Sequence, residues 1–395
     1  MIRPSSLSEK YPKVRLGDAV EFLDHMRKPV TAKDRVAGPY PYYGANGQQD
    51  SVKDYIFDEP LVLLAEDGGN FGDPNRTIAY QVEGKCWVNN HAHVLRPTAK
   101  IDIRYLCRHL EMYDVRSHIN GATREKLNKG AAQEIVISLP PLEEQKLIAA
   151  ILDKADALRR KRQQAIDLTD QLLRSVFLDM FGDPALSMTI TELLDKEYLF
   201  LHKDGNHGGN YPRKEEFGNK GIPFISAKDI SDDDGRIIQS GVKYLNETKA
   251  RKLTIGWLEK GDVLLAHNAT VGRVGIFHGE FEEALIGTSL TAFRPNPKKL
   301  MSQYLFCALK YSGFQEQLKK NMGQSTRNQV PITAQKEMII PIGDLMLQKK
   351  FKGYFDHMLG ARAKHLSYID QANKCFASLT QQAFLGKLTK RTEAA

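Results

Sequence analysis

At 395 residues, 42% hydrophobic and 26% charged, the chain is long enough for two domains with real cores and is ordinary in composition for a soluble protein. No apolar run reaches the roughly 18 residues of a membrane span, and the start through Lys13 lacks the apolar core of a signal peptide, so a cytoplasmic protein without a membrane partner is expected. Cys86, Cys107, Cys307 and Cys375 show no C-x-x-C spacing, which argues against a zinc site or a disulfide framework and for buried, reduced thiols.

Taken in order, the first half offers a polar turn around Tyr43, Gly44, Asn46, Gly47 and Gln48, then Val62 to Ala65, an apolar run of strand length behind Glu59-Pro60. Gly68 to Gly72 is glycine-rich but follows Glu66-Asp67, whose carboxylates would repel phosphates, so it reads as a flexible loop. Trp87 to His93 reads as a strand whose His91 and His93 point to one side. No third metal ligand lies nearby in sequence, so strand packing or a ligand-facing role is preferred to a metal site. Arg96-Pro97 closes the next strand, Tyr105-Leu106 sits in a helix-like stretch, and Gly121 to Arg124 precedes a closing strand at Ile135 to Ile137.

From Pro141 to Phe181 apolar residues recur at coiled-coil spacing: Ile148, Leu152, Ala155, Ile166, Thr169, Leu173, Val176 and Met180. The whole order then repeats about 200 residues on, far beyond the period of a solenoid. Val263 to Ala266 follows Gly261-Asp262, Tyr304-Leu305 matches Tyr105-Leu106, Arg294-Pro295 matches Arg96-Pro97, and Gly323 to Arg327 precedes Met338 to Ile340. A second helix carries Phe351, Phe355, Met358, Ile369, Ala372, Phe376, Leu379 and Ala383, and Gly182 and Gly386 close equivalent helix ends. The repeat predicts mixed α/β recognition domains in a pseudo-twofold tandem, linked by two long antiparallel coiled-coil helices. The domains are placed at 1–139 and 185–341 and the helices at 140–184 and 342–395. A helix of that length runs about 60 Å, which suggests two readers held at a fixed separation.

The formal charge is +8, and much of it lies between Lys349 and Arg391: Lys349, Lys350, Lys352, Arg362, Lys364, Lys374, Lys387, Lys390 and Arg391 against Asp356 and Asp370. Such a stripe is either a solvated face or a track for phosphates. The run Asp232-Asp233-Asp234-Gly235 lacks the terminal glutamate of a calcium loop and reads as a turn.

Three stretches carry a family resemblance: P-P-L-x-E-Q-x-x-I from Pro140 to Ile148, F-L-D-M-F-G-D-P from Phe177 to Pro184, and L-T-Q-Q-A-F-L-G-K-L from Leu379 to Leu388. Together with Tyr40 to Gly47 and Trp87 to His93 they resemble the specificity subunits of type I restriction-modification systems, over the whole chain in order. At the start of the second helix, Ile340-Pro341-Ile342-Gly343-Asp344 replaces the P-P-L-x-E-Q pattern. The resemblance implies a non-catalytic subunit in which each domain reads one half of a bipartite sequence in double-stranded DNA. It further implies that the helices dock two methyltransferase subunits, and that motor and nuclease subunits complete the complex. S-adenosylmethionine would belong to the methyltransferase, and no cofactor is expected in this chain.

A methyl-donor glycine turn, an N-P-P-Y-like motif and a G-x-x-x-x-G-K-[ST] loop are all missing from the sequence. The same scaffold in another phage-defence or methyltransferase-nuclease complex, and a coiled-coil tether that binds no DNA, stay open as alternatives.

Base contacts are expected from loops. The candidates are Tyr43, Asn46, Gln48, Asn70, Arg76, Thr123, Arg124 and Lys126 in the first half. In the second they are His207, Asn210, Arg213, Thr270, Arg273, Ser325, Thr326, Arg327, Asn328 and Gln329. Lys126, Lys129 and Lys228 suit phosphates, which position without specifying. Leu152, Ile166, Leu173, Phe355, Ile369 and Phe376 are the candidate partner-docking residues on the helices.

Overall fold

The computed structural model describes residues 7–388 except 72, 74, 75, 120–124, 183, 185, 208–210, 312 and 323–327. Contacts divide the chain into one unit of residues 1–162 with 368–395 and another of residues 163–367. Each long helix therefore gives its two halves to different units.

In the first unit the elements are β1 (Lys13–Arg15), α1 (Leu16–Ala19), β2 (Val20–Phe22), β3 (Ala37–Gly44), β4 (Gly47–Val52), β5 (Phe57–Asp58), β6 (Leu61–Ala65), β7 (Ala79–Val82), β8 (Lys85–Val88), β9 (Ala92–Pro97), α2 (Ile103–Glu111), α3 (Lys129–Gln133) and β10 (Val136–Ser138), leading into α4 (Leu142–Phe181). They form two four-stranded sheets, β2-β9-β6-β7 and β4-β3-β8-β5, plus the pair β1-β10.

The second unit repeats this plan with β11 (Leu186–Thr189), α5 (Ile190–Asp195), β12 (Leu199–Asp204), β13 (Phe217–Gly218), β14 (Ile222–Ile225), β15 (Lys243–Leu245), α6 (Glu247–Ala250), β16 (Val263–Ala266), β17 (Val274–Ile276), β18 (Leu285–Ile286), β19 (Leu290–Pro295), α7 (Ser302–Tyr311), α8 (Phe314–Asn321), α9 (Ile332–Lys336) and β20 (Ile339–Ile342), leading into α10 (Leu345–Phe384). Its sheets are β12-β19-β16-β17 and β13-β15-β14-β18, with the pair β11-β20. The tandem α/β repeat expected from sequence is present.

The physical cause of the repeat is visible in matched residues. β6 and β16 are apolar at every position and buried along their whole length, as strands covered on both faces must be. Arg96 closes β9 with a two-pronged bond to Glu59 at 2.7 and 2.6 Å, and Arg294 closes β19 on Asp262 at 2.8 and 2.9 Å. The Tyr105 hydroxyl donates to the Ser138 carbonyl and that of Tyr304 to the Pro341 carbonyl, both at 2.9 Å.

The helix starts also agree, although the P-P-L-x-E-Q pattern is missing from the second. Buried Gln145 accepts from Asp102 N at 2.8 Å and donates to the carbonyls of Lys100 and Pro140. Buried Gln348 accepts from Met301 N at 2.9 Å and donates to the Gly343 carbonyl. Asp344 takes over the cap, accepting from Met346 N and Leu347 N. What the two starts share is the glutamine, three residues into each helix.

α4 and α10 each run 40 residues and pair antiparallel inside each unit. In the first unit Arg159 lies over the Phe376 ring and Arg162 over that of Tyr368, so α10 runs backward as α4 advances. In the second, Asp170 bonds Arg362 at 2.9 Å while Phe177 and Phe181 pack on Phe351, with the same sense. The terminal turns do more than zip together, because they enter the domain cores. Ile148, Leu152, Phe376 and Phe384 join the first core, and Phe177, Phe181, Phe351 and Phe355 the second.

Two expectations change. Arg362 is no part of an exposed basic stripe: it is 4% exposed and bonds Asp234 at 2.6 Å as well as Asp170, so the Asp232 to Gly235 turn is a receptor for a helix cation. Cys375 is exposed, unlike the other three cysteines, because it lies on the outer side of α10.

Removing one partner of a buried ion pair strands the other charge, at a cost of about 3–5 kcal/mol. Arg362→Met is expected to destabilise the protein by that order in denaturant unfolding, and adding Asp234→Asn should recover part of the loss. Gln145→Leu orphans three backbone groups and should cost about 2–4 kcal/mol, whereas a melting temperature equal to that of wild type would contradict the clamp.

Candidate nucleic-acid interface

In the antiparallel sheet β2-β9-β6-β7, the end of β2, the start of β9, the end of β6 and the start of β7 meet at one rim. The loops leaving that rim carry polar side chains, since the strands themselves are spent on the core. Asn46, from the β3–β4 turn, donates to the Gly68 carbonyl at 2.9 Å, Asn70 donates to Asn46 at 3.0 Å, and Arg76 donates to Asn70 at 3.2 Å. Three candidates from two loops, the β3–β4 turn and the β6–β7 loop, thus form one chain of donors and acceptors.

Beneath them lies a network of charge. Glu66 follows β6 and is held by Arg27 at 2.6 Å and by Lys126 at 3.0 Å. Fully buried His93 faces Asp24 through Nδ1 at 2.6 Å and the Leu127 carbonyl through Nε2 at 2.8 Å. Burial pushes the Glu66 carboxyl up, but hydrogen bonds from Arg27 and Lys126 outweigh it and hold the group below its ordinary value of 4.5. Asp24 behaves alike: burial raises it, and the bonds from His93 and Val94 N bring it below 3.8. Ligand atoms of Asp24, Glu66 and His93 lie within 4.8 Å of one another, a group that includes His93 but not His91, with Arg27 and Lys126 already pairing the Glu66 charge.

The second unit builds the same rim from different chemistry. Where Glu66 and Asp67 follow β6, His267 and Asn268 follow β16, and His267 Nδ1 shares a hydrogen with Thr291 at 2.9 Å. Asn268 bridges Gln329 just as Asp67 bridges Lys126. Val330 N donates to the His267 carbonyl and Ala269 N to the Asn328 carbonyl, which brings Thr270, Asn328 and Gln329 side by side, all exposed. Ala269 has φ +63°, a left-handed conformation that turns the loop sharply toward Thr270. His207 bonds Asp204 at 2.6 Å at the end of β12, on this same rim.

Other candidates fall elsewhere. Tyr43 is half-buried against Tyr80, and burial raises its hydroxyl. Gln48 is bonded to the Asp50 carbonyl and Ser51 along β4. Arg213 sits ahead of β13, on the other sheet, bonded through its backbone to Glu216. Arg273 is half-buried, 3.9 Å from Asp232. Thr123, Arg124, Asn210, Ser325, Thr326 and Arg327 lie outside the described residues.

Lys126 is paired with Glu66, Lys129 lies over the Phe22 ring, and Lys228 is 3.9 Å from Asp229, placements that leave their expected phosphate contacts untouched. Several readings need correction. Glu66 and Asp67 do not stand as bare repulsive charges, because Arg27, Lys126 and His91 take them up. Trp87 to His93 is two strands and a turn, closed by Asn89 Oδ1 accepting from His91 N, so the two histidine rings face different partners. Leu152, Ile166, Phe355 and Phe376 are buried and Leu173 and Ile369 half-buried, which spends them on the chain's own packing. The apolar residues that the helices turn outward include Leu158, Leu168, Leu172 and Tyr354. The sequence reading passed over Arg27 and placed His91 only as a packing or DNA-facing residue. The available signal was Glu66-Asp67 directly after a wholly apolar strand, where two carboxylates need partners.

The profile of the type I restriction modification DNA specificity domain matches residues 8–168 and again 200–356. The chain belongs to that family. A type I restriction enzyme specificity subunit of Haemophilus influenzae is 31% identical over 272 residues, covering 67% of each chain. The MjaVIII specificity subunit of Methanocaldococcus jannaschii is 24% identical over 399 residues, covering 94% of this chain and 92% of its own. Among solved structures, the type I restriction-modification S subunit from M. genitalium has the same fold, with a TM-score of 0.61 at 14% identity over 95% of this chain and 96% of that one. The two matched segments of this specificity-family chain each contain one of the polar rims. Among the described residues, no helix is long and apolar enough to cross a membrane.

Because Glu66 and Asp24 are held below their ordinary values, they stabilise the fold fully above those values and lose that contribution as pH falls through the lower, folded ones. Denaturant unfolding should therefore show stability falling between about pH 5 and pH 3, with a shallower fall in Glu66→Gln. Identical acid limbs for the two proteins would show that the Glu66 network contributes nothing.

Proposed function

We propose that this chain is the non-catalytic DNA-reading subunit of a type I restriction-modification complex, with each unit reading one half of a bipartite target. The observation that carries the reading is the repetition of one polar rim, built at the same strand ends, in both family-matched segments. Loops on a buried sheet suit base reading, since amide, hydroxyl and cationic side chains reach base edges while the strands hold them in register. The outward apolar residues of α4 and α10, Leu158, Leu168, Leu172 and Tyr354 among them, supply the docking surface for two methyltransferase subunits. Those subunits bring S-adenosylmethionine, and motor and nuclease subunits join the same assembly.

The purified chain is expected neither to methylate nor to cut DNA, and to confer sequence-specific methylation when mixed with its methyltransferase subunit. Leu168→Glu should abolish co-purification with that subunit while leaving the melting temperature within a degree or two, because the side chain is 62% exposed. Methyl transfer by the isolated chain would contradict the proposal.

A further inference from the structure

His91 stands on the first rim, in the turn between β8 and β9, with its side chain 38% exposed. Its backbone is fixed from both directions: its N–H donates to Asn89 Oδ1 at 2.8 Å, and its carbonyl accepts from Glu66 N at 2.9 Å. Its Nδ1 lies 2.5 Å from Asp67 Oδ1, and Asp67 is 9% exposed and bridges Lys126. An ionised carboxylate only accepts, so Nδ1 carries the hydrogen and Nε2 of the neutral ring is left with a lone pair. Among the described residues nothing bonds Nε2.

Resting on the reading of the first unit as a DNA reader, we propose that His91 is a specificity-determining residue whose Nε2 accepts a hydrogen bond from the exocyclic amine of adenine or cytosine in the major groove, with Asp67 as the positioning residue that fixes the tautomer. In that groove adenine N6 and cytosine N4 donate, whereas guanine and thymine present acceptors at the corresponding edge. An acceptor locked in place therefore selects the first pair and rejects the second. The second rim has its own histidine on a carboxylate, His207 on Asp204, but joined through Nε2.

The test uses the full chain with its methyltransferase subunit, mapping methylated sequences for wild type, His91→Phe, His91→Gln and Asp67→Asn. Wild type should show adenine or cytosine at one position of one half-site. His91→Phe should relax that position by roughly tenfold or more and leave the other half-site unchanged. His91→Gln, whose amide oxygen also accepts, should retain part of the preference. Asp67→Asn can either accept from Nδ1 or donate to it, so it should relax the same position. In a binding arm, a duplex whose adenine or cytosine lacks the exocyclic amine should bind wild type more weakly and His91→Phe no differently. Unchanged sequence preference in both His91→Phe and Asp67→Asn overturns the inference, as does uniform weakening over both half-sites with a lowered melting temperature. Methylation without sequence preference in the wild-type complex overturns the proposed function instead, and this inference with it.

Discussion

Burial of the helix ends inside the recognition cores is what holds each unit in its shape. Phe384 packs edge-on against His109 and beside Tyr105 in the first unit, and Phe181 does the same with Tyr304 in the second. Aromatic side chains of this size dominate core energetics, so each helix terminus is fixed by the domain it enters rather than by its partner helix alone. Gln145 and Gln348 then fix the opposite termini by bonding backbone groups just outside each helix. One helix cannot turn or slide without disturbing a core.

Inside each unit the paired helices are held by charged side chains as well as apolar ones. Arg362 of α10 bonds Asp170 of α4 and Asp234 of the domain, and Arg159 of α4, paired with Asp156 on its own helix, lies with its plane over Phe376 of α10. A buried ion pair adds little net stability over an apolar pair, but a wrong register would leave Arg362 or Asp234 unpaired, which is costly. The charges therefore specify register, and the aromatic ends supply the energy.

The two rims show how one scaffold carries two chemistries. In the first, carboxylates and cations neutralise one another below an exposed amide chain; in the second, His267 shares a hydrogen with Thr291 and Asn268 bridges Gln329. Equivalent backbone bonds, Leu127 N to the Glu66 carbonyl and Val330 N to the His267 carbonyl, hold both closing segments against the strand end. Because the backbone carries the position, the side chains are free to differ.

The tandem repeat, the two long helices and the buried strands are legible in the amino-acid order, because they follow from apolar periodicity and from residues whose role is local: Val62 to Ala65, Arg96-Pro97 and the stripes from Ile148 and Phe351. The same order brings Asn46, Asn70, Asn328 and Gln329 forward as loop residues. Which of these meet is settled only in three dimensions, since Asn46 and Asn70 come from different sheets, and Asn268 and Gln329 are far apart along the unit's chain. Folding likewise pairs Arg362 and Lys126 with carboxylates and turns Leu152 and Phe376 to the core. Periodicity shows that a helix has an apolar face; what that face and each charge are spent on depends on partners far away in sequence.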